Sequence, residues 1–286
     1  MAPNIAISIE GLGFTYAAAA TAAARPALQG IDLEVRRGEY LGIMGLNGAG
    51  KTTLGLALNG IVPQSSIGHH EGRVTVDGLD AATTPVREMA RLVGIVFDNP
   101  EFQMSQLTAA EEVALGLENL GVPTDEMHVR VREALALVGL TGFEERSPLA
   151  LSGGEQQRLA IASVLAMRPC ILFMDEPTSN LDPLGKEEVF ALTRRLNRDE
   201  GLTVIVAEHE AEVLAAYADR IVVLVQGRIA MVGTPAAVFG RADELARLGI
   251  RVPQATELAL ALDPSARGGL PVTTEQGIAW AEAWTP

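Results

Sequence analysis

The sequence predicts an α/β fold, a mostly parallel buried sheet covered by helices and preceded by a smaller antiparallel β region. Three patterns point there. Tyr40–Met44, Cys170–Met174, Thr203–Ala207 and Arg220–Val225 are short, almost wholly apolar runs separated by helical stretches, the order expected of strand–helix–strand crossovers. Ile5–Glu10 and Leu28–Val35 instead alternate apolar and polar residues, as strands with one wet face do. The first buried run passes directly into a turn holding Gly45, Gly48 and Gly50, and then into a helical segment.

In chain order, the two alternating segments are antiparallel strands, and the alanine run Ala17–Ala24 between them, closed by Arg25-Pro26, is a loop insertion despite alanine's helix propensity. Tyr40–Met44 is a strand, Lys51–Asn59 a helix, and Arg73–Asp77 and Leu92–Phe97 two further strands. Thr108–Gly139 has apolar residues at three- and four-residue spacing with a break at Gly121-Val122-Pro123, and Ser152–Met167 is another helix. Beyond Thr234 come short helices and turns that end in Trp280 and Trp284.

Composition narrows the function classes. Of 286 residues 48% are hydrophobic and 20% charged, which suits a packed core. A net charge of −14 argues against nucleic acid, whose phosphates call for basic excess. The single cysteine, Cys170, rules out an internal disulfide and is expected to be a small buried apolar residue. His69-His70, in a glycine-flanked stretch, are expected in a solvated loop, and His128 on an exposed helix face. No apolar run approaches the roughly 20 residues that cross a bilayer, and MAPNIAISIE lacks the basic and apolar regions of a signal peptide. The expectation is a cytoplasmic protein, soluble or held to a membrane through a partner.

The chemistry begins at residues 45–53, GLNGAGKTT. Glycines at this spacing let successive N–H groups face one point where phosphate oxygens sit, and the following helix adds its positive end. Gly45, Leu46, Asn47, Gly48, Ala49 and Gly50 form the cradle, with Lys51 for the β- and γ-phosphates, Thr52 for magnesium and Thr53 beyond it. One of only two lysines in the chain falls where the motif demands it, and a chance match in this composition is about one in five hundred. The loop is a nucleotide-binding one.

Two more segments belong with it. CILFMDE (170–176) is an apolar strand ending in two carboxylates, at the strand end that faces the ligand in such sheets. Asp175 can hold magnesium and Glu176 can take a proton from the water attacking the γ-phosphate. LSGGEQQR (151–158) opens a helix with Ser152 as N-cap and Glu155 closing a capping box. Capping leaves Gly153-Gly154 unexplained, since glycine costs about 1 kcal/mol in a helix; a phosphate approaching that helix end would account for them.

Together, GLNGAGKTT, LSGGEQQR and ILFMDEPTSNLD resemble the nucleotide-binding subunit of an ATP-binding cassette (ABC) transporter, in order and spacing, over about residues 5–235. The resemblance implies a P-loop NTPase with a RecA-like core sheet, an N-terminal antiparallel β-subdomain and an α-helical signature subdomain at about 98–168, all within an ATPase domain of residues 1–240. Residues 241–286 would be a small C-terminal extension and possible subunit-pairing region. It also implies head-to-tail pairing with a second ATPase chain, identical or a paralogue. Each ATP would lie between one chain's phosphate loop and the other's Ser152, Gly153, Gly154 and Glu155. Tyr16 would stack on adenine, Ser179, Asn180, Leu181 and Asp182 would pass between the two sites as the D-loop, and His209 would touch the γ-phosphate and orient Glu176. ATP and Mg2+ are the implied ligands.

One position departs from that pattern. In VFDNPE (96–101) the glutamine of the family's Q-loop is Asp98. A glutamine offers both a carbonyl and an amide donor, whereas an ionised aspartate only accepts. Slower hydrolysis or altered coupling is expected, with Gln103 as a less favoured substitute.

Phe97–Asn119 and the tail 245–262, LARLGIRVPQATELALAL, are similar to the energy-coupling factor (ECF) transporter ATPases and the cobalt-type importers among them. That resemblance implies a peripheral subunit on the cytoplasmic face of the membrane, powering uptake of a micronutrient, a vitamin or transition-metal ion, through a transmembrane coupling subunit and a substrate-binding membrane subunit. Asp98, Glu101, Glu111 and Glu112 would receive basic coupling helices. The alternative is a soluble ABC-type ATPase uncoupled from transport, for example in iron–sulfur assembly. A small-molecule phosphotransferase would leave LSGGE unexplained.

Overall fold

The computed structural model describes residues 4–17, 26–179, 181–263 and 269–284. Its strands are β1 (Ile5–Tyr16), β2 (Leu28–Arg36), β3 (Tyr40–Met44), β4 (Gly68–Val76), β5 (Leu79–Asp80), β6 (Val93–Val96), β7 (Ile171–Asp175), β8 (Thr203–Ala207), β9 (Arg220–Val225) and β10 (Arg228–Gly233). The helices up to the signature are α1 (Lys51–Leu58), the single turns α2 (Ile61–Gln64) and α3 (Val86–Met89), then α4 (Ala109–Leu120), α5 (Thr124–Leu137) and α6 (Gly153–Leu165). After it come α7 (Pro183–Glu200), α8 (Ala211–Tyr217), α9 (Pro235–Phe239), α10 (Ala242–Arg247), α11 (Gln254–Leu262) and α12 (Thr274–Ala283).

The apolar runs form one six-stranded sheet in the order β10-β9-β3-β8-β7-β6, parallel except for the β10 edge, which turns back against β9. Alternate residues of each central strand enter different cores. Tyr40, Met44, Leu172, Met174, Val204 and Val206 join helices α4–α7 on one face. Leu41, Ile43, Ile171, Phe173, Ile205 and Ala207 pack with α1 and the second sheet on the other. A strand buried on both faces must be apolar at every position, so these runs show no alternation. The second sheet, β2-β1-β4-β5, is antiparallel throughout and half wet, and it keeps the alternation.

Register brings the strand ends into line. Ala207 pairs with Ile43 on one side and Asp175 on the other, so β3, β8 and β7 finish in one row at their carboxyl ends. The glycine loop, Glu176 and Glu208 leave the sheet from that row. Helix α1 lies close above it because Gly55 has no side chain: a Cβ there would stand 2.2 Å from the Phe173 ring of β7.

Two local expectations are corrected. Cys170 is exposed, because the strand starts one residue later at Ile171 and the cysteine stays at its outer end. His69 and His70 sit in β4 and not in a loop: β1 runs on to Tyr16 and pairs Thr15 with His69 and Phe14 with His70, extending the ladder through polar residues. His128 is exposed on α5, as expected. Most of the alanine run, from Ala18 to Ala24, lies outside the described residues.

Gly55→Ala should destabilise the protein by about 1–2 kcal/mol, since overpacking against a buried ring outweighs the helix propensity gained. Denaturant unfolding at equilibrium measures this.

Candidate active site

Between β3 and α1 the chain turns through Gly48 and Gly50, both at positive φ (77° and 108°), a conformation glycine adopts without strain. Gly50 also lies against the Ala27 carbonyl, 2.5 Å from where a Cβ would be, and Gly45 against the Leu224 carbonyl at the same distance. The turn is thus clamped by neighbouring backbone. Its result is a cavity of about 400 Å3 lined by Ala27, Asn47, Gly48, Ala49, Gly50, Lys51, Thr52, Thr53, Asp98, Asp175 and Glu176.

Opposed charges meet in this cavity. Lys51, at 5% exposure, donates to the Gly45 carbonyl at 2.9 Å and pairs with Glu176 Oε1 at 3.0 Å. The Thr52 hydroxyl donates to Asp175 Oδ2. Burial pushes the Asp175 carboxyl above its ordinary value. The Thr52 hydrogen bond and the Lys51 charge oppose that shift, while Glu176 and Asp98 reinforce it. A hard cation taking oxygen ligands from Thr52 and Asp175 would relieve both the burial and the repulsion, so the donor set fits magnesium beside phosphate oxygens. Glu176 follows β7 at φ 46°, a strained value for a non-glycine residue, with its N–H donating to Ala207 O at 2.8 Å. Strain of this kind concentrates where a side chain must be aimed.

Other expected residues stand around this centre. The Tyr16 hydroxyl lies 3.3 Å from Thr53 Oγ1, and its ring meets Phe14 edge-on at 4.8 Å, outside the cavity lining. His209 is also outside the lining; its Nδ1 lies 3.0 Å from Glu208. The Asp98 side chain accepts from the Asn99 N–H at 2.9 Å, and its carbonyl accepts from the Ser179 hydroxyl at 3.3 Å. Gln103 does not take the glutamine's place, because its Oε1 accepts the Phe97 N–H at 3.0 Å.

The signature forms a second cavity. Ser152 caps α6 and exchanges hydrogen bonds with Glu155, the expected capping box. Ser152, Gly153, Gly154, Leu181 and Asp182 line a hollow of about 350 Å3 with Arg158, Leu184, Gly185 and Glu188. A Cβ on Gly154 would meet nothing closer than 3.9 Å, so packing within the chain does not require that glycine. Asp182 in turn caps α7 through the Gly185 N–H. Asn180 lies outside the described residues. The two cavities share no lining residue among those described. One chain therefore carries a phosphate cradle and, apart from it, a helix end with two glycines.

Sequence reasoning passed over Ala27 and Glu208. Ala27 closes the cradle through its backbone, which leaves no side-chain signal. Glu208 was legible as an acid beside His209 at the end of a buried strand.

Residues 28–179 match the ABC transporter family profile. The chain belongs to the ABC transporter ATPase family. A Pyrococcus abyssi protein provisionally named as an ABC transporter ATP-binding protein is 48% identical over 256 residues, covering 90% of each chain. The energy-coupling factor transporter ATP-binding protein EcfA1 of Symbiobacterium thermophilum is 47% identical over 265 residues, 90% of this chain and 88% of that one. Among solved structures, cbiO1 of Clostridium perfringens, described as part of the ABC transporter complex cbiONQ, superposes with a TM-score of 0.73 at 31% identity, over 90% of this chain and 99% of its own. A dimeric ATP-binding cassette in a post-hydrolysis state with ADP and phosphate gives 0.70 at 29%, over 80% and 98%. The ABC assignment, the fold and ATPase activity follow from this membership.

The Glu155 carboxyl lies below the usual carboxylate range because the Ser152 N–H and hydroxyl bond its charged form. A depressed acid stabilises the fold above its unfolded pKa, roughly pH 4, and that contribution fades as pH falls through the folded value. Wild type should therefore melt above Glu155→Gln at neutral pH, and the gap should close in acid, as thermal unfolding across pH will show.

Proposed function

We propose that this ABC ATPase is the ATP-hydrolysing subunit of an ECF-type transporter, peripheral on the cytoplasmic face of the membrane. It would drive uptake of a micronutrient, a vitamin or transition-metal ion, through a separate transmembrane coupling subunit and a substrate-binding membrane subunit. The observation that carries the pairing is the separation of the two cavities: a helix end whose glycine the chain's own packing does not need suits a nucleotide held by another copy or a paralogue. The transport reading draws on the relatives named EcfA1 and on the cbiO1 structure. Among the described residues no helix is long and apolar enough to cross a membrane, consistent with a separate membrane subunit. In the 241–286 extension, α12 buries none of its residues and stacks Trp280 on Trp284 with centroids 6.3 Å apart, a face suited to subunit pairing.

In this reading, backbone N–H groups of residues 47–52 and the Lys51 ammonium bind the β- and γ-phosphates of ATP, and Tyr16 flanks the adenine. Magnesium, held by Thr52 and Asp175, supplies charge neutralisation at the phosphates. Lys51 exchanges Glu176 for phosphate oxygen, which frees the carboxylate to accept a proton from the attacking water. His209 meets the γ-phosphate from the end of β8. The partner's signature helix closes the site and donates to the same phosphate.

Glu176→Gln keeps the binding groups and loses the base. Multiple-turnover hydrolysis should fall by about 10²–10⁴-fold, and ATP should convert the variant to a stable pair in size-exclusion chromatography. A monomer that stays single with ATP bound would overturn the pairing.

Asp98 adds a carboxylate to a cavity that already holds Asp175 and Glu176. Asp98→Gln removes that repulsion against the nucleotide's phosphates, so turnover at saturating magnesium should rise by about three- to tenfold, equivalent to about 1 kcal/mol, while half-maximal turnover should need more magnesium because the cation loses a neighbouring anion. Steady-state hydrolysis titrated with magnesium tests it, and an unchanged curve would assign Asp98 no part in coordination.

A further inference from the structure

Glu208 is a buried acid for which the reaction above has no use. It is 1% exposed, and a charged carboxylate so placed needs donors. They are present. Oε1 accepts the His209 backbone N–H at 2.8 Å and lies 3.0 Å from His209 Nδ1, while Oε2 accepts the Thr178 hydroxyl at 3.0 Å. Thr178 is itself 1% exposed and stands two residues after Glu176. The histidine ring is otherwise free to turn, since its side chain is 56% exposed.

We propose that Glu208 is a positioning residue. It holds the His209 ring with Nδ1 protonated toward the buried carboxylate, turns Nε2 outward to the terminal phosphate, and ties the ring through Thr178 to the loop that carries Glu176. The chemistry follows from the acceptor: an ionised carboxylate offers no hydrogen, so the one shared with Nδ1 belongs to the ring. When Nε2 is protonated as well, the imidazolium spans two anions with one N–H to each, and Glu208 is the fixed one. This inference rests on the reading of His209 as the phosphate-contacting residue.

The test uses the full chain labelled with 15N-histidine, free of nucleotide and in buffer alkaline enough for neutral rings. Four histidines give few signals, and the loss of one set in His209→Asn assigns His209. Wild type should show the Nδ1–H tautomer. Glu208→Gln should retain it, because the amide carbonyl still accepts. Glu208→Met combined with Thr178→Val removes the carboxylate together with the hydroxyl that donates to it, so that of its donors only the backbone N–H groups of His209 and Glu210 and the His209 ring lose their acceptor. A cooperative thermal melt verifies that the variant folds; there the ring should revert to a mixture of tautomers. In the same double variant kcat should fall about tenfold with KM for ATP within about twofold, the pattern of a contact made in the transition state, and Glu208→Gln should lie between. An Nε2–H tautomer in wild type, an unchanged tautomer in the double variant, or an unchanged kcat would each overturn the proposal. Because the tautomer is read without nucleotide, it is decided separately from ATP hydrolysis; a wild type that fails to turn over ATP would count against the functional reading instead.

Discussion

A single buried ammonium makes this site possible. Three carboxylates, Asp98, Asp175 and Glu176, face one cavity intended for a polyanion, and charges of one sign in a poorly solvated space repel strongly. Lys51 stands among them at 5% exposure, held by the Gly45 carbonyl and paired with Glu176. Its place depends on the glycines, because the carbonyl that grips it belongs to a turn no side-chain-bearing loop could make against Ala27 and Leu224. The fold serves this arrangement: β3, β8 and β7 end in one row, so the lysine loop, the acids and the histidine leave the sheet side by side although they are far apart in sequence.

The fold was legible where local pattern and tertiary environment agree. Runs apolar at every position announced strands buried on both faces, and β3, β8 and β9 fall on the residues expected of them. The reading weakened where pairing overrides composition. Gly68–Glu71 has no strand character of its own, yet it completes a ladder with β1, and Cys170 looks like the first residue of a strand that in fact begins at Ile171.

The site was legible by side-chain chemistry and opaque by backbone. GLNGAGKTT and the Asp175-Glu176 pair needed only residue type and spacing, and the stretch from Asn47 to Thr53 lines one cavity with the two acids. Ala27 contributes a carbonyl, and backbone contributions carry no residue signature. Ser152 and Glu155 were readable as a cap, but the hollow that Ser152, Gly153 and Gly154 share with Leu181 and Asp182 depends on how α6 and α7 lie together. The segment from Glu176 to Asp182 connects the two halves of the molecule's chemistry: one end pairs with Lys51, Ser179 holds the Asp98 carbonyl, and the other end caps α7.

The exposed sulfhydryl at position 170 has a practical use. It is the sole cysteine of the chain, and it sits at the end of β7 remote from the acids, a strand's length of about 16 Å from Asp175 at 3.3 Å per residue. A maleimide dye would attach there without further engineering and clear of the glycine turn, so distance changes between two labelled protomers could be followed by energy transfer as nucleotide is added.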